Sequence, residues 1–222
     1  SLPTPRSFGL SLFFPILVSF LLVLLGQSFE VAKYPFYLAR NELKLSLVID
    51  KSGSMGKAVM EDARAAARAV VDILSESDIL SIVSFNDSAS VDLPSDYVTD
   101  KDFIKTKITS LSSSGGTNVS SGLRAGYGEI EKNITRNLGH ICILICDGDV
   151  DAGAEPLAAD AFAKGIYTSA VAVGTGADTT GLRNIAIEGE GAFYHVTNSQ
   201  DLTGIFLEEL NNLLSPVKRG GR

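Results

Sequence analysis

Few side chains in this sequence are suited to acid–base catalysis at neutral pH or to covalent cross-linking. Its 222 residues include two His, two Cys and no Trp. So few imidazoles restrict any chemistry or metal binding that depends on histidine. The cysteines, Cys142 and Cys146, lie in one apolar run. If that run is a strand, both thiols lie on one face about 13 Å apart, at ~3.3 Å per residue, which is too far for a disulfide. We therefore expect two buried, unpaired thiols, and the redox compartment stays open.

Clusters of basic residues are also lacking before the end of the chain. The 19 Lys and Arg are outnumbered by 26 Asp and Glu, which gives a formal net charge of −7. Basic residues concentrate only in the tail Lys218–Arg222. This balance argues against nucleic-acid binding and suits a surface that attracts cations. The length suffices for one sizeable α/β domain with an extension, and a hydrophobic content of 45% allows a packed core.

A long apolar run stands near the start of the sequence. Residues 8–25 contain no charged side chain, and as a helix they would span about 27 Å, enough to cross a hydrocarbon core. We therefore predict that residues 1–28 form a hydrophobic helix, either a retained single-pass membrane anchor or the signal of a secreted protein. Membrane association through residues 8–25 is favoured. The flanking charges, Arg6 before the run and Lys33 and Arg40 after it, are too balanced to predict an orientation.

After a linker at 29–42, apolar runs of strand length alternate with stretches of helical periodicity. The predicted strands are 43–49, 79–85, 88–93, 140–146, 167–173 and 192–196, and the predicted helices are 59–74, 101–111, 121–131, 154–164, 180–187 and 201–214. Such alternation predicts an α/β domain with a doubly wound, mostly parallel sheet flanked by helices, Rossmann-like in its layers. This domain covers residues 43–214 and is followed by a tail at 215–222.

Oxygen-bearing side chains occur in three strings at strand ends or between elements. Asp50, Ser52 and Ser54 follow the first strand in the string DKSGS, Thr117 lies in the string SGGTN, and Asp147 follows the strand 140–146 in the string DGD. Ligands of doubly wound sheets bind outside the carboxyl ends of the strands, so we expect these side chains to lie close together. Each string by itself is typical of an ordinary turn or helix cap. Their joint placement indicates a metal site.

In this order the three strings resemble the metal-ion-dependent adhesion site of the von Willebrand factor A (vWA) family, the integrin I-like domains: DxSxS, a separate Thr and a separate Asp. The resemblance covers residues 43 to roughly 214. The strings DKSGSM and SGGTNVSSGLRAGY look further like the vWA domains of calcium-activated chloride channel regulators. The resemblance implies that the carboxylates act through bound water or through hydrogen bonds to the hydroxyls. The implied metal residues are Asp50, Ser52, Ser54, Thr117 and Asp147.

Hydroxyl ligands suit a small, hard cation. Mg2+ prefers near-octahedral oxygen coordination, and neutral Ser and Thr ligands leave its charge uncompensated, so that it can still bind a carboxylate from outside. We expect Mg2+, with Ca2+ or Mn2+ as alternatives, and a protein partner that presents an Asp or Glu. The chain departs from the family at Cys146, where Thr or Ser commonly stands. We expect Cys146 to face the sheet interior and to affect metal affinity little.

Two other functions stay open beside this adhesion or scaffold module. In the first alternative, the domain is a structural subunit of a membrane complex. The helix over residues 8–25 is then integral to the membrane, and the metal is held inside the complex. A metal-dependent hydrolase is disfavoured, because Ser52–Gly56 lacks the first glycine of the G-x-S-x-G elbow. The only imidazoles, His140 and His195, fall at the start of a strand and inside a strand, which suits no triad. We therefore predict that the protein is not an enzyme.

Overall fold

The computed structural model describes residues 42–132 and 138–214. The predicted hydrophobic helix at 1–28, almost all of the linker 29–42 and the tail 215–222 lie outside these residues, as does the prediction of membrane association through residues 8–25. Among the helices that can be described, none is both long and apolar enough to cross a membrane.

Six strands in the described part of the chain form one sheet. They are β1 Leu43–Asp50, β2 Ile79–Phe85, β3 Ala89–Tyr97, β4 Gly139–Cys146, β5 Ile166–Val173 and β6 Glu190–Val196. Their spatial order is β3-β2-β1-β4-β5-β6. Neighbouring strands are parallel except β2 and β3, which pair antiparallel. The predicted doubly wound, mostly parallel sheet is confirmed. The strand order reverses between β1 and β4, and this is where such sheets open a crevice for ligands.

Helices cover both faces of the sheet. They are α1 Gly56–Ile73, α2 Lys101–Thr109, α3 Val119–Glu131, α4 Ala154–Ala163, α5 Thr179–Glu188 and α6 Leu202–Leu214, with short 3-10 helices at Gly53–Met55 and Ser199–Asp201. The apolar side chains of α1, α2 and α6 pack on one face, and those of α3, α4 and α5 pack on the other. Each helix predicted from periodicity is present, with ends that differ by at most a few residues.

The edge strand β3 differs most from its prediction. It begins at Ala89 instead of 88 and continues to Tyr97 instead of ending at 93. The strand runs through Pro94, which an edge strand tolerates because one side of it makes no ladder hydrogen bonds. Shifts in the register between β2 and β3 accompany this passage.

Helix α3 lies very close to the sheet because two glycines face it. A Cβ atom placed on Gly126 would be 2.5 Å from Val48 Cγ2, and one placed on Gly122 would be 2.5 Å from Phe85 Cδ1. No side chain larger than hydrogen fits at either position without displacing these core residues. Because α3 begins just after Thr117, this close packing also sets how near the Thr117 loop comes to the ends of β1 and β2.

Candidate metal centre

The ends of β1 and β4 bring three predicted site residues into direct contact. Ser52 and Ser54 follow β1, Asp147 follows β4, and these two strands are parallel neighbours. Ser54 Oγ donates to Asp147 Oδ1 over 2.9 Å, and the Oγ atoms of Ser52 and Ser54 are also 2.9 Å apart. Ser52 Oγ lies 3.4 Å from the same carboxylate oxygen. Side chains separated by more than ninety positions in the chain therefore form one cluster of oxygens.

Asp50 lies beneath this cluster and is completely buried. Its Oδ1 accepts a hydrogen bond of 2.7 Å from the backbone N–H of Ser52, and its Oδ2 accepts one of 3.0 Å from the thiol of Cys146. Both oxygens of the carboxylate are therefore held by the protein. Asp50 supplies a negative charge and fixes the shape of the Ser52 loop. Ser52 is itself buried, and the more exposed oxygens of the cluster belong to Ser54 and Asp147.

Thr117 is half-buried and lines the same depression as Ser54 and Asp147. This depression is open to solvent, has a volume of about 680 Å³, and extends along Val59, Val173, Gly174 and Gly176. The Thr117 hydroxyl lies against Gly148, the residue after Asp147: a Cβ on Gly148 would be 2.9 Å from Thr117 Oγ1. All five predicted residues are therefore at one edge of the sheet.

The oxygens of the cluster are of the kind that a hard cation prefers. Two of the three separations between Ser52 Oγ, Ser54 Oγ and Asp147 Oδ1 are 2.9 Å, and the third is 3.4 Å. Hydroxyl and carboxylate oxygens are ligands of Mg2+ and of Ca2+ alike. No group of three or more His, Cys, Asp or Glu side chains suited to a metal occurs in the described residues. Any cation here would depend on hydroxyl oxygens.

The charge of the cluster favours a cation. Burial raises the pKa of Asp147, hydrogen bonds from Ser54 and Ser52 lower it, and repulsion from the nearby Asp50 carboxylate raises it, with a net upward shift. An upward shift means that the ionised carboxylate is less stable here than in water. A positive charge beside Asp147 would relieve this cost.

Sequence reasoning missed two contacts of the site. Cys146 is buried as expected, and Cys142 and Cys146 are both unpaired. The Cys146 thiol, however, donates directly to Asp50, so its small effect on metal affinity stays a prediction. The pair Asn86 and Asp87, which is not among the predicted site residues, makes hydrogen bonds to the backbone of the loop before Thr117. Its position directly after β2, at the same edge of the sheet, was the available signal.

Comparison with known proteins agrees with this fold. A family model described as the von Willebrand factor type A domain matches residues 45–208. An uncharacterised protein of Synechocystis sp. is 34% identical over 114 residues, which are 51% of this chain and 27% of that protein. The chain thus spans about a quarter of the length of this curated relative.

Two solved structures share the architecture. The BatB protein of Bacteroides thetaiotaomicron superposes with a TM-score of 0.68 at 22% identity, covering 77% of this chain and 98% of that one. Proximal thread matrix protein 1 of the mussel byssus, solved with a zinc-occupied MIDAS motif, has a TM-score of 0.68 at 19% identity and covers 78% of this chain and 48% of its own. At such identities the likeness establishes the fold.

The finer resemblance to chloride channel regulators stays a prediction. Domains of the matched family mediate protein–protein interactions and typically bind a divalent metal ion. The match to the family model extends over most of the chain, and together with the strand order and the clustered hydroxyls it shows that this protein belongs to the von Willebrand factor type A domain family.

Proposed function

We propose that this domain binds a partner protein through one divalent cation, Mg2+, in preference to Ca2+ or Mn2+. Ser52, Ser54 and Thr117 would provide hydroxyl ligands, and Asp50 and Asp147 would provide the negative charge. The observation that carries this proposal is the convergence of Ser52 Oγ, Ser54 Oγ and Asp147 Oδ1 within 2.9–3.4 Å of one another, since a cluster of hard oxygens is what Mg2+ prefers.

The residues of the site would either orient the hydroxyl ligands or supply negative charge near the cation. Asp50 is tied by both oxygens and keeps the Ser52 loop in shape. Asp147 orients the Ser54 hydroxyl by accepting its hydrogen bond. Neutral hydroxyls leave most of the ionic charge uncompensated, and the bound cation would accept a carboxylate oxygen from an Asp or Glu of the partner. The apolar and glycine residues around the depression then define which side chains can approach.

The positions of the two histidines favour binding over catalysis. His195 lies near the end of β6, and its Nε2 lies 2.9 Å from the carbonyl oxygen of Gly174, a residue that lines the depression. A carbonyl only accepts, so Nε2 must donate and cannot serve as a base. His140 lies at the start of β4, at the opposite edge of the sheet. In the described residues, neither histidine is hydrogen-bonded to Ser52 or Ser54, so a hydrolase would lack the histidine base of a serine triad.

The metal component is tested by titrating Mg2+, Ca2+ and Mn2+ into the metal-free full chain by calorimetry. We expect one site, with Ser54→Ala weakening Mg2+ binding roughly 10- to 100-fold. Ser90→Ala, which removes another exposed serine hydroxyl on β3, is the matched control and should bind like the wild type. Equal affinity in the wild type and in Ser54→Ala would refute the assignment of the ligands.

The partner component is tested with a random peptide library displayed against the immobilised chain in Mg2+. Enriched peptides should share an Asp or Glu, and they should be released by EDTA. Replacing that one acid by Asn or Gln should abolish binding, because an amide is a weaker ligand of a hard cation. Peptides that bind equally well in EDTA, or that tolerate the amide, would show that the domain recognises partners in another way.

A further inference from the structure

We propose that Asn86 and Asp87, which follow β2, position the Thr117 hydroxyl by clamping the backbone of residues 114–116. We call this pair the β2 clamp. The inference rests on the proposed metal function, because it assigns the clamp an effect on metal affinity. It adds two positioning residues that lie outside the DxSxS, Thr and Asp pattern.

The clamp makes two hydrogen bonds to the loop. Asn86 Nδ2 donates to the carbonyl oxygen of Ser114 over 2.9 Å, and Asp87 Oδ1 accepts from the N–H of Gly116 over 3.1 Å. Gly116 immediately precedes Thr117. The Asp87 carboxylate therefore holds the Gly115–Gly116 peptide unit, which directly precedes the peptide unit that joins Gly116 to Thr117.

Gly115 and Gly116 have no side chains, and this leaves room for the side chains of the clamp. A Cβ atom on Gly115 would lie 2.5 Å from Asp87 Oδ2 and 3.0 Å from Asn86 Nδ2. A Cβ atom on Gly116 would lie 2.7 Å from Asp87 Oδ1. Gly115 also has a φ of +80°, which disfavours other residues. The Asp87 carboxylate occupies the space that side chains at 115 and 116 would need, so the two glycines and the clamp fit one another.

The opposite side of the loop is bound to the serine loop of the metal centre. Ser114 N–H donates to the Lys51 carbonyl over 2.7 Å, and Gly53 N–H donates to the Gly115 carbonyl over 2.9 Å. Lys51 N–H in turn donates to the carbonyl of Phe85, the last residue of β2, over 2.7 Å. The loop is therefore held between the clamp and the backbone that carries the two serines.

Thr117 depends on these bonds because its loop has no regular structure. Residues 111–118 lie between α2 and α3 and belong to no helix or strand. Beyond Thr117 the chain is fixed again at Asn118, whose side chain accepts from Ser121 N–H over 2.9 Å at the start of α3. Thr117 is thus held from both sides, by the clamp at Gly116 and by the helix cap at Asn118. Loss of either support would let its hydroxyl move.

The first test measures Mg2+ affinity of the full chain by calorimetry. Asp87→Ala should weaken binding roughly tenfold, as loss of an outer partner of a ligand does. Asp87→Asn keeps a side-chain oxygen that can accept from Gly116 and should retain affinity within about threefold. Asp96→Ala is the matched control, since Asp96 is another exposed carboxylate that accepts a backbone N–H, from Tyr97 over 2.8 Å. Wild-type affinity in Asp87→Ala, or equal losses in Asp87→Ala and Asp87→Asn, would overturn the clamp.

A double-mutant cycle separates positioning from a general structural effect. If the clamp acts through Thr117, Asp87→Ala should weaken Mg2+ binding by less than about twofold when Thr117→Ala is already present. The same loss in both backgrounds would contradict the proposal.

Amide hydrogen exchange in EDTA tests the clamp without any metal. Peptides that cover residues 114–117 should exchange roughly tenfold faster in Asp87→Ala and unchanged in Asp96→Ala. If the wild type binds no Mg2+, the proposed function fails, yet faster exchange here would still support the clamp. Unchanged exchange would refute the clamp even if the metal function held.

Discussion

Replacing Gly126 by alanine should destabilise the domain, whereas the same replacement at Gly128 should stabilise it. Both glycines lie inside α3, where Gly to Ala gains about 1 kcal/mol of helix propensity. At Gly128 the new Cβ would meet nothing within 4 Å beyond its chain neighbours and the backbone of its own helix, so the gain is kept. At Gly126 the Cβ would be 2.5 Å from Val48 Cγ2 and 3.2 Å from Ser46 Oγ. Val48 is buried, and its branched side chain cannot rotate away easily.

The size of the difference follows from the cost of overpacking. Inserting a methyl group into a filled core costs about 1–3 kcal/mol, so the two variants should differ by about that amount. In a domain of this size about 1 kcal/mol corresponds to 2–4 °C in Tm. Gly128→Ala should therefore melt about 2–4 °C above the wild type, and Gly126→Ala should melt at or below the wild-type temperature.

Urea denaturation and thermal melting, both in EDTA, measure these effects without a contribution from bound metal. Both variants replace a glycine by alanine in the same helix, and both change the unfolded chain in the same way. Each variant is therefore the control for the other. If Gly126→Ala gained as much stability as Gly128→Ala, the close contact between α3 and β1 would be wrong. The same result would undermine the argument that this contact places the Thr117 loop.

Three further outcomes are expected. Mg2+ at about 100 times its Kd should raise the free energy of unfolding by about 2.7 kcal/mol, seen as a higher Tm that EDTA reverses. Cys146→Ala should lower the free energy of unfolding by about 1–3 kcal/mol, because Asp50 loses a buried hydrogen-bond donor. Cys146→Ser keeps a donor and should lose less stability. Tyr194→Phe should cost about 1–2 kcal/mol by urea denaturation, since the Tyr194 hydroxyl donates over 2.7 Å to Glu209, a buried carboxylate that fastens α6 to the sheet.

Each of these outcomes has a contrary result. A Tm that ignores Mg2+ would contradict binding to the folded state. Equal losses for the two Cys146 variants would show that the thiol contributes volume and not a hydrogen bond. Tyr97→Phe is the control for Tyr194→Phe, because Tyr97 is 55% exposed and should change stability by less than about 0.5 kcal/mol. Equal losses in the two tyrosine variants would argue against the bond to Glu209.

Much of the metal centre was predictable because its parts are short and local. Asp50, Ser52 and Ser54 lie within five residues, directly after a strand that is apolar enough to recognise by its periodicity. Hydroxyls and carboxylates placed after strands of a doubly wound sheet point to one edge, whatever the loops between them do. Neither the hydrogen bond from the Cys146 thiol to Asp50 nor the β2 clamp could be deduced in this way, since each joins segments that are far apart in the chain.

The amino-acid sequence by itself determined the alternation of strands and helices, the buried runs and the kinds of oxygen available for a cation. These follow from the period of apolar residues and from side-chain chemistry, both of which are local properties. Only the tertiary structure decided that β1 lies between β2 and β4, that Ser54 Oγ meets Asp147 Oδ1 at 2.9 Å, and that Asp87 fills the space above two glycines. Such distances depend on strand register and on how closely α3 packs, and both arise from contacts across the whole fold.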